Sequence, residues 1–204
     1  MKLYLVGGGD TKETNRIYRK AIRPIKNPHL LIFHWTSKNK KKLKHYRKIM
    51  IKQFKKLGIR KIEIAEFNDS YSVIKDKINM CNVIFLPGGD TELLIKTIKS
   101  KRITRLLRNF KGVIIGMSAG AYTLSKQYVR MQNKKIRRIP ALNFLNIKMK
   151  AHYNEKFDPV ILKFSKREKI YGVPDSSCLI LDGKKLKFFG KIYLFSKGKK
   201  KRIN

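Results

Sequence analysis

The sequence predicts an α/β fold of three layers: a mainly parallel central sheet with helices on both faces, and an antiparallel edge built by the C-terminal part of the chain. Two observations predict it. Through the first three fifths of the 204 residues, short apolar runs rich in β-formers alternate with amphipathic helical stretches. Beyond Lys126 the pattern changes to shorter strand-like runs, the signature of antiparallel pairing. The length suits one sizeable domain, and with 42% hydrophobic and 10% aromatic residues the chain is able to bury a core. We expect one domain over residues 1–196 and a basic, solvated or frayed tail over residues 197–204, with no internal repeat or low-complexity linker between.

Taken in order, Leu3 to Val6 opens the sheet, and Thr11 to Ile25 reads as a helix that stops before Pro24 or soon after. His29 to Trp35 is a second apolar strand. Lys40 to Leu57 is a helix with Leu43, Tyr46, Ile49, Met50 and Phe54 on one face and Gly58 just past its end. Ile59 to Phe67 alternates as a strand, Ser70 to Asn79 is a short helix, and Asn82 to Leu86 is apolar enough for a sheet centre. After Pro87-Gly88-Gly89-Asp90, Thr91 to Ile98 and Ile103 to Phe110 are helical, and Gly112 to Gly116 is another buried strand. Ile147 to Ala151, Ile170 to Val173, Cys178 to Leu181 and Leu186 to Phe195 are the later strands, with a helix near Phe157 to Phe164. The antiparallel edge is expected among them.

Charge is the unusual feature of the composition. Fifty Lys and Arg stand against 13 Asp and Glu, a formal net charge of +37. Such an excess attracts polyanions. The basic residues, however, are spread along the whole chain and mixed with abundant Ile and Asn, as an AT-rich genome would encode. Clusters such as Lys38 to Lys44, Lys134 to Arg138 and Lys197 to Arg202 therefore read as solvated surface, with binding of nucleic acid or another polyanion as the sharper alternative. No recognition-helix, RNP-like or zinc-finger pattern accompanies them.

Met1-Lys2 runs directly into the first strand without an apolar segment long enough for a signal peptide, and no later run approaches the roughly 20 apolar residues of a membrane span. We expect a soluble cytoplasmic protein. Cys81 and Cys178 lie in apolar contexts without CxxC or Cys/His spacing, which points to buried thiols and to no metal site.

The chemistry-bearing motif is Gly116-Met117-Ser118-Ala119-Gly120, G-x-S-x-G between a buried strand and a helix. A sharp strand-to-helix bend strains the serine backbone, and small residues two positions either side let the flanking segments pass. The hydroxyl then projects from the top of the sheet, and the N–H of Ala119 faces any oxyanion formed there. Gly88 and Gly89 belong to the loop ending the strand expected alongside, and their N–H groups are candidates for a second donor. Asp90 or Thr91 in the same loop also suits a helix N-cap. Gly7-Gly8-Gly9-Asp10 closes the first strand similarly, but Lys12 stands where a G-x-G-x-x-G fingerprint needs its last glycine, so a dinucleotide site is disfavoured.

A serine nucleophile needs a base. Of four histidines, His29 and His34 border the second strand and His45 lies in a Lys-rich helix, which leaves His152 at the end of the Ile147 to Ala151 strand. No Asp or Glu lies between Ser118 and His152, so the order serine, acid, histidine of an α/β-hydrolase cannot be built. The acid is sought at Glu155, Asp158, Glu168, Asp175 or Asp182, or before Ser118, with Asn or water as further ways to orient the imidazole.

Leu5-Val6-Gly7-Gly8-Gly9, Leu86-Pro87-Gly88-Gly89-Asp90-Thr91 with Leu93-Leu94, and Ile115-Gly116-Met117-Ser118-Ala119-Gly120-Ala121 together resemble the peptidase E family, that of dipeptidase E and cyanophycinase. The match runs in order from Met1 to about Pro174. The resemblance implies a fold like that of class I glutamine amidotransferases, Ser118 as nucleophile and His152 as base, no cofactor, and short peptides as substrates, dipeptidase E preferring an N-terminal aspartate. Where dipeptidase E has an Asp downstream of its serine, this chain has uncharged or basic residues around Gln132 to Lys135. Asp175, in Gly172-Val173-Pro174-Asp175, is the substitute for that acid. Asp90 stands where the family often has Asn, and a carboxylate there would hold a substrate ammonium. The arginine expected to bind an acidic side chain maps to Arg167.

Hydrolysis of short peptides through an acyl-enzyme on Ser118 is thus the leading expectation. An amidotransferase is disfavoured, because the elbow carries Ser instead of Cys and no Glu stands two residues after His152. The alternative is a degenerate family member that binds polyanions. Monomer and homodimer are both compatible with the sequence.

Overall fold

The computed structural model describes residues 1–132 and 135–204. Asn133 and Lys134, within the segment where the family's acid was sought and at one end of a basic cluster, lie outside them. In chain order the first half is β1 (Lys2–Val6), α1 (Thr11–Ile22), β2 (His29–Phe33), α2 (Lys40–Lys56), β3 (Lys61–Ala65), α3 (Tyr71–Met80), β4 (Val83–Leu86), α4 (Thr91–Ser100), α5 (Thr104–Asn109), β5 (Val113–Met117) and α6 (Ala119–Leu124). There follow β6 (Ser125–Gln132), β7 (Lys135–Pro140), β8 (Leu145–Ala151), α7 (Asp158–Ser165), β9 (Ile170–Val173), β10 (Cys178–Asp182), β11 (Lys185–Phe189), β12 (Tyr193–Ser196) and β13 (Lys199–Arg202).

The first five strands pair in parallel within a seven-stranded sheet of order β11-β10-β1-β5-β4-β2-β3, and β10 and β11 add the antiparallel edge. Its central strands β4 and β5 carry no polar side chain because both faces are covered there. Leu3, Leu5, Leu31, Phe33, Ile84, Leu86 and Ile114 pack with α3 to α6, whereas Tyr4, Val6, Leu30, Ile32, Phe85 and Ile115 pack with α1 and α2. On the latter side Tyr18 stacks on Phe54 at 5.3 Å between centroids, and both meet Phe85 edge-on, at 5.5 and 4.9 Å.

The helices start where the sequence supplies caps. Asp10 Oδ1 accepts from Glu13 N–H at 2.9 Å while Glu13 Oε2 accepts from Asp10 N–H at 2.7 Å, a capping box that launches α1 from the end of β1. Asp90 Oδ1 accepts from Leu93 N–H at 3.0 Å and starts α4 in the same way.

Three expectations are corrected. The strands around Ile147 to Ala151 and Ile170 to Val173 do not join the antiparallel edge: β8 and β9 pair in parallel inside a second, six-stranded sheet of order β13-β12-β9-β8-β6-β7. The run Leu186 to Phe195 is two strands, broken at Gly190, whose φ of +73° suits glycine. Residues 197–204 are no frayed tail. Lys197 and Gly198, with φ of +52° and +71°, make a tight turn of the kind that favours hairpins, so β13 pairs antiparallel with β12. Lys200 Nζ then donates to Asp158 Oδ2 at 2.8 Å and Glu155 Oε1 at 3.1 Å, anchoring that hairpin beside α7.

The apolar face of α2 also divides. Met50 and Phe54 enter the core, but Tyr46 is 56% and Ile49 37% exposed. No helix among the described residues is long and apolar enough to cross a membrane. Cys81 and Cys178 are buried free thiols.

Candidate active site

β1, β4 and β5 of the central sheet and β8 and β9 of the second sheet deliver their ends to one place. Ser118 forms the bend between β5 and α6 with φ +50° and ψ −103°, a conformation that non-glycine residues seldom adopt. What holds it is the packing around it. Ser118 N–H donates to Val6 O at 2.9 Å and Gly120 N–H to Pro87 O at 3.1 Å, tying the bend to the ends of β1 and β4. A β-carbon on Gly120 would stand 1.9 Å from Leu86 O, and one on Gly116 2.6 Å from the Gly120 backbone, which is why both positions must be glycine.

His152 follows β8 with φ +48°, and its Nε2 lies 2.8 Å from Ser118 Oγ. Its Nδ1 lies 2.7 Å from Oδ1 of Asp175, on the turn between β9 and β10. The structure therefore joins Ser118, His152 and Asp175 in one hydrogen-bonded line, half-open to solvent at its acid end. With Nδ1 as donor to the carboxylate, Nε2 is the acceptor facing the serine hydroxyl.

The glycines after β1 organise this line. Gly7 O accepts from His152 N–H at 3.0 Å, Gly7 N–H donates to Ser177 O at 2.9 Å, and Gly8 O accepts from Ser176 N–H at 3.1 Å. Gly8, at φ +148°, lies so close to the pair that a β-carbon would stand 2.1 Å from His152 Cε1 and 2.4 Å from Asp175 Oδ1. Reading the triple glycine as a strand end and a failed dinucleotide fingerprint missed this role. The signal was there in three consecutive glycines where a turn needs one or two. Tyr122 holds the residue before His152, its hydroxyl donating to Ala151 O at 3.2 Å and accepting from Ala151 N–H at 3.0 Å.

The Gly88-Gly89 loop borders the serine: a β-carbon on Gly88 would lie 3.6 Å from Ser118 Cβ. Among the described residues, the N–H groups of Gly88, Gly89 and Ala119 meet no backbone acceptor outside regular helices and strands. A cleft of about 570 Å³ opens beside them, lined by Gly8, Gly88, Ser118 and His152 at one end and by α1 and α2 residues at the other.

Two expected substrate-binding residues are outside that lining. Asp90 spends its carboxylate on the cap of α4. Arg167 lies on an exposed turn before β9. Because β8 and β9 run parallel, His152 leaves the C-terminal end of the pair whereas Arg167 precedes its N-terminal end, a strand length away. Among the described residues no three His, Cys, Asp or Glu side chains converge as metal ligands would.

The sequence profile of Peptidase family S51 matches residues 3–189. The chain belongs to peptidase family S51. The resemblance to peptidase E read from its glycine loops and serine elbow is thereby the correct one, and this S51 chain is a peptidase. Its fold is similar to that of a peptidase from an acI-B1 Actinobacterium, with a TM-score of 0.78 at 16% identity over 99% of this chain and 93% of that one. It is also similar to a protein named as a peptidase E candidate from Listeria monocytogenes EGD-e, with a TM-score of 0.73 at 20% identity over 92% and 97% of the two chains. No curated protein matches the sequence.

Proposed function

We infer that this S51 peptidase hydrolyses short peptides through an acyl-enzyme on Ser118. The observation that carries the reading is the line from Ser118 Oγ through His152 to Asp175, with contacts of 2.8 and 2.7 Å. His152 Nε2 takes the hydroxyl proton as Ser118 Oγ attacks the scissile carbonyl carbon. Charge that develops on the carbonyl oxygen meets the N–H of Ala119 and those of the Gly88-Gly89 loop. When the C–N bond breaks, His152 returns the proton to the leaving amine; water then enters, loses a proton to the same nitrogen and releases the acyl group from Ser118. Asp175 accepts from Nδ1–H throughout, fixing the tautomer and stabilising the imidazolium.

Short substrates suit a cleft of about 570 Å³, which has room for a few residues and not for an extended chain. The test is a fluorophosphonate probe and a dipeptide library applied to the wild-type protein and to Ser118→Ala. We expect covalent labelling and turnover by the wild type, and loss of both in the variant, turnover by about 10³-fold or more. Undiminished hydrolysis by Ser118→Ala ends the proposal.

A further inference from the structure

The cleft extends from the Ser118–His152 pair to a floor between α1 and α2, where Tyr18, His34, Met50, Gln53 and Phe85 line it. All five are at most 7% exposed. Among the described residues, neither the Tyr18 hydroxyl nor His34 Nδ1 has a hydrogen-bond partner. Gln53 is tied in place, its amide nitrogen donating to Thr14 Oγ1 at 3.1 Å and Asn15 Oδ1 at 3.0 Å. Burial lowers the His34 pKa to about 4, so the imidazole is neutral near pH 7. Leu43, Tyr46 and Ile49 carry the wall of the cleft outward along α2, and this explains why the apolar face of that helix is not all in the core.

Charged groups are few in the lining. Lys42 stands in the first turn of α2, and Asp10 is the cap of α1. Arg47, whose field also depresses His34, pairs with Glu66 and is not in the lining. Arg167, the cation expected for an acidic substrate, is elsewhere.

We propose that the floor between α1 and α2 is a subsite for a large neutral side chain of the peptide, with an aromatic or aliphatic body and at most a neutral polar tip. The proposal rests on the peptidase reading above and names its substrate class. An aspartate carboxylate seated there would lose its water and find two neutral polar groups in exchange, with no cation at the floor; a lysine ammonium would find no carboxylate there. An apolar body instead covers Phe85, Met50 and Ile49, and an amide or hydroxyl tip supplies the partner that Tyr18 and His34 lack. Sites with buried polar groups discriminate strongly in favour of ligands that pair with them.

Dipeptides differing in one residue, Asp, Lys, Gln, Met, Leu or Phe, placed in turn on either side of the scissile bond, test this. Turnover is measured with the wild type, and binding to Ser118→Ala by calorimetry. We expect the Gln, Met, Leu and Phe series to exceed the Asp and Lys series at least tenfold in kcat/KM at one of the two positions, with the same order in binding. Ile49→Lys, which brings a cation to the exposed wall, should narrow the gap between Asp and neutral substrates by about tenfold. Preference for Asp in the wild type overturns the subsite and leaves the peptidase reading standing. Absence of both turnover and fluorophosphonate labelling overturns the peptidase reading, and failure of every neutral dipeptide to bind Ser118→Ala overturns the subsite with it.

Discussion

Cε1 of His152 occupies the space where any side chain on Gly8 would begin, 2.1 Å from the position of its β-carbon. The imidazole is thus seated by the backbone that follows β1, the strand whose Val6 O accepts the Ser118 N–H. One continuous stretch of backbone, Val6 to Gly8, holds Ser118 and His152 next to each other.

Gly8→Ala should uncouple that stretch from the imidazole. The backbone at φ +148° is one that L-residues rarely adopt, a strain of about 1–3 kcal/mol, and the methyl group must push His152 or Asp175 aside. Displacing a reacting group by about 1 Å costs on the order of 10²-fold in rate. We expect at least that loss of dipeptide turnover, measured beside a urea unfolding curve that stays cooperative. Turnover within threefold of wild type would show that the imidazole does not need this seat.

Asp175→Asn separates orientation from charge. The side chain is about half exposed, so the substitution should alter stability by no more than about 0.5 kcal/mol. An amide presented to Nδ1 favours the wrong tautomer and leaves the imidazolium without its counter-charge. In a triad, kcat then falls by roughly 10³–10⁴-fold, with fluorophosphonate labelling slowed in parallel. A loss below tenfold would assign the acid's role to another group.

How much of this was legible follows from which residues depend on local pattern. Ser118 stood out because a buried strand, two glycines and a helix must coincide around it within a few residues. His152 was reached by elimination among four histidines, and Asp175 by substitution, since the turn bearing it lies 23 residues further on and is brought back by β9. Arg167 was misplaced because strand direction, invisible in a four-residue apolar run, decides at which end of the sheet a flanking residue emerges. The second sheet escaped for a similar reason: β6 and β7 carry Lys126, Arg130, Arg137 and Arg138 exposed, and alternation alone does not tell parallel from antiparallel partners. On α2 the 3.6-residue period identified an apolar face correctly, but period does not distinguish a core from a cleft.

His34 makes stability depend on pH in a definite direction. Its pKa is near 6.5 in the unfolded chain and about 4 in the fold, where burial opposes the charge and Arg47 adds to the effect. Between those values the unfolded state binds more protons, so the contribution to stability is complete above pH 6.5 and is lost as pH falls toward 4, by roughly 1–3 kcal/mol. Carboxylates held low, such as Glu168 beside Lys148 and Arg138, also release stability on the acid side. The readout is therefore the difference between wild type and His34→Gln in urea midpoints at pH 7 and pH 4.5. The wild type should lose more between the two, and equal losses would contradict a neutral, buried imidazole.

Lys150 gives a dependence of the same sign on the alkaline side. It is 8% exposed, its Nζ donates to Ala151 O at 2.6 Å and lies 4.0 Å from the Phe157 ring centre, and burial lowers its pKa to about 8 against a partial restoring field from Asp175. In the unfolded chain the ammonium titrates near 10.5. From pH 8 to 10.5 the unfolded state therefore holds the extra proton, and the wild type gains stability as pH rises, by about 2 kcal/mol. Lys150→Met keeps the side-chain length and removes the buried charge, an exchange that is commonly neutral or stabilising by about 1–4 kcal/mol. We expect the variant to equal or exceed the wild type at pH 7 and to lose that advantage by pH 10, as followed by urea unfolding at both. An advantage that does not change with pH would mean the ammonium is paired in the fold as well as it is hydrated outside it, and that the carbonyl before His152 and the Phe157 ring together replace its water in full.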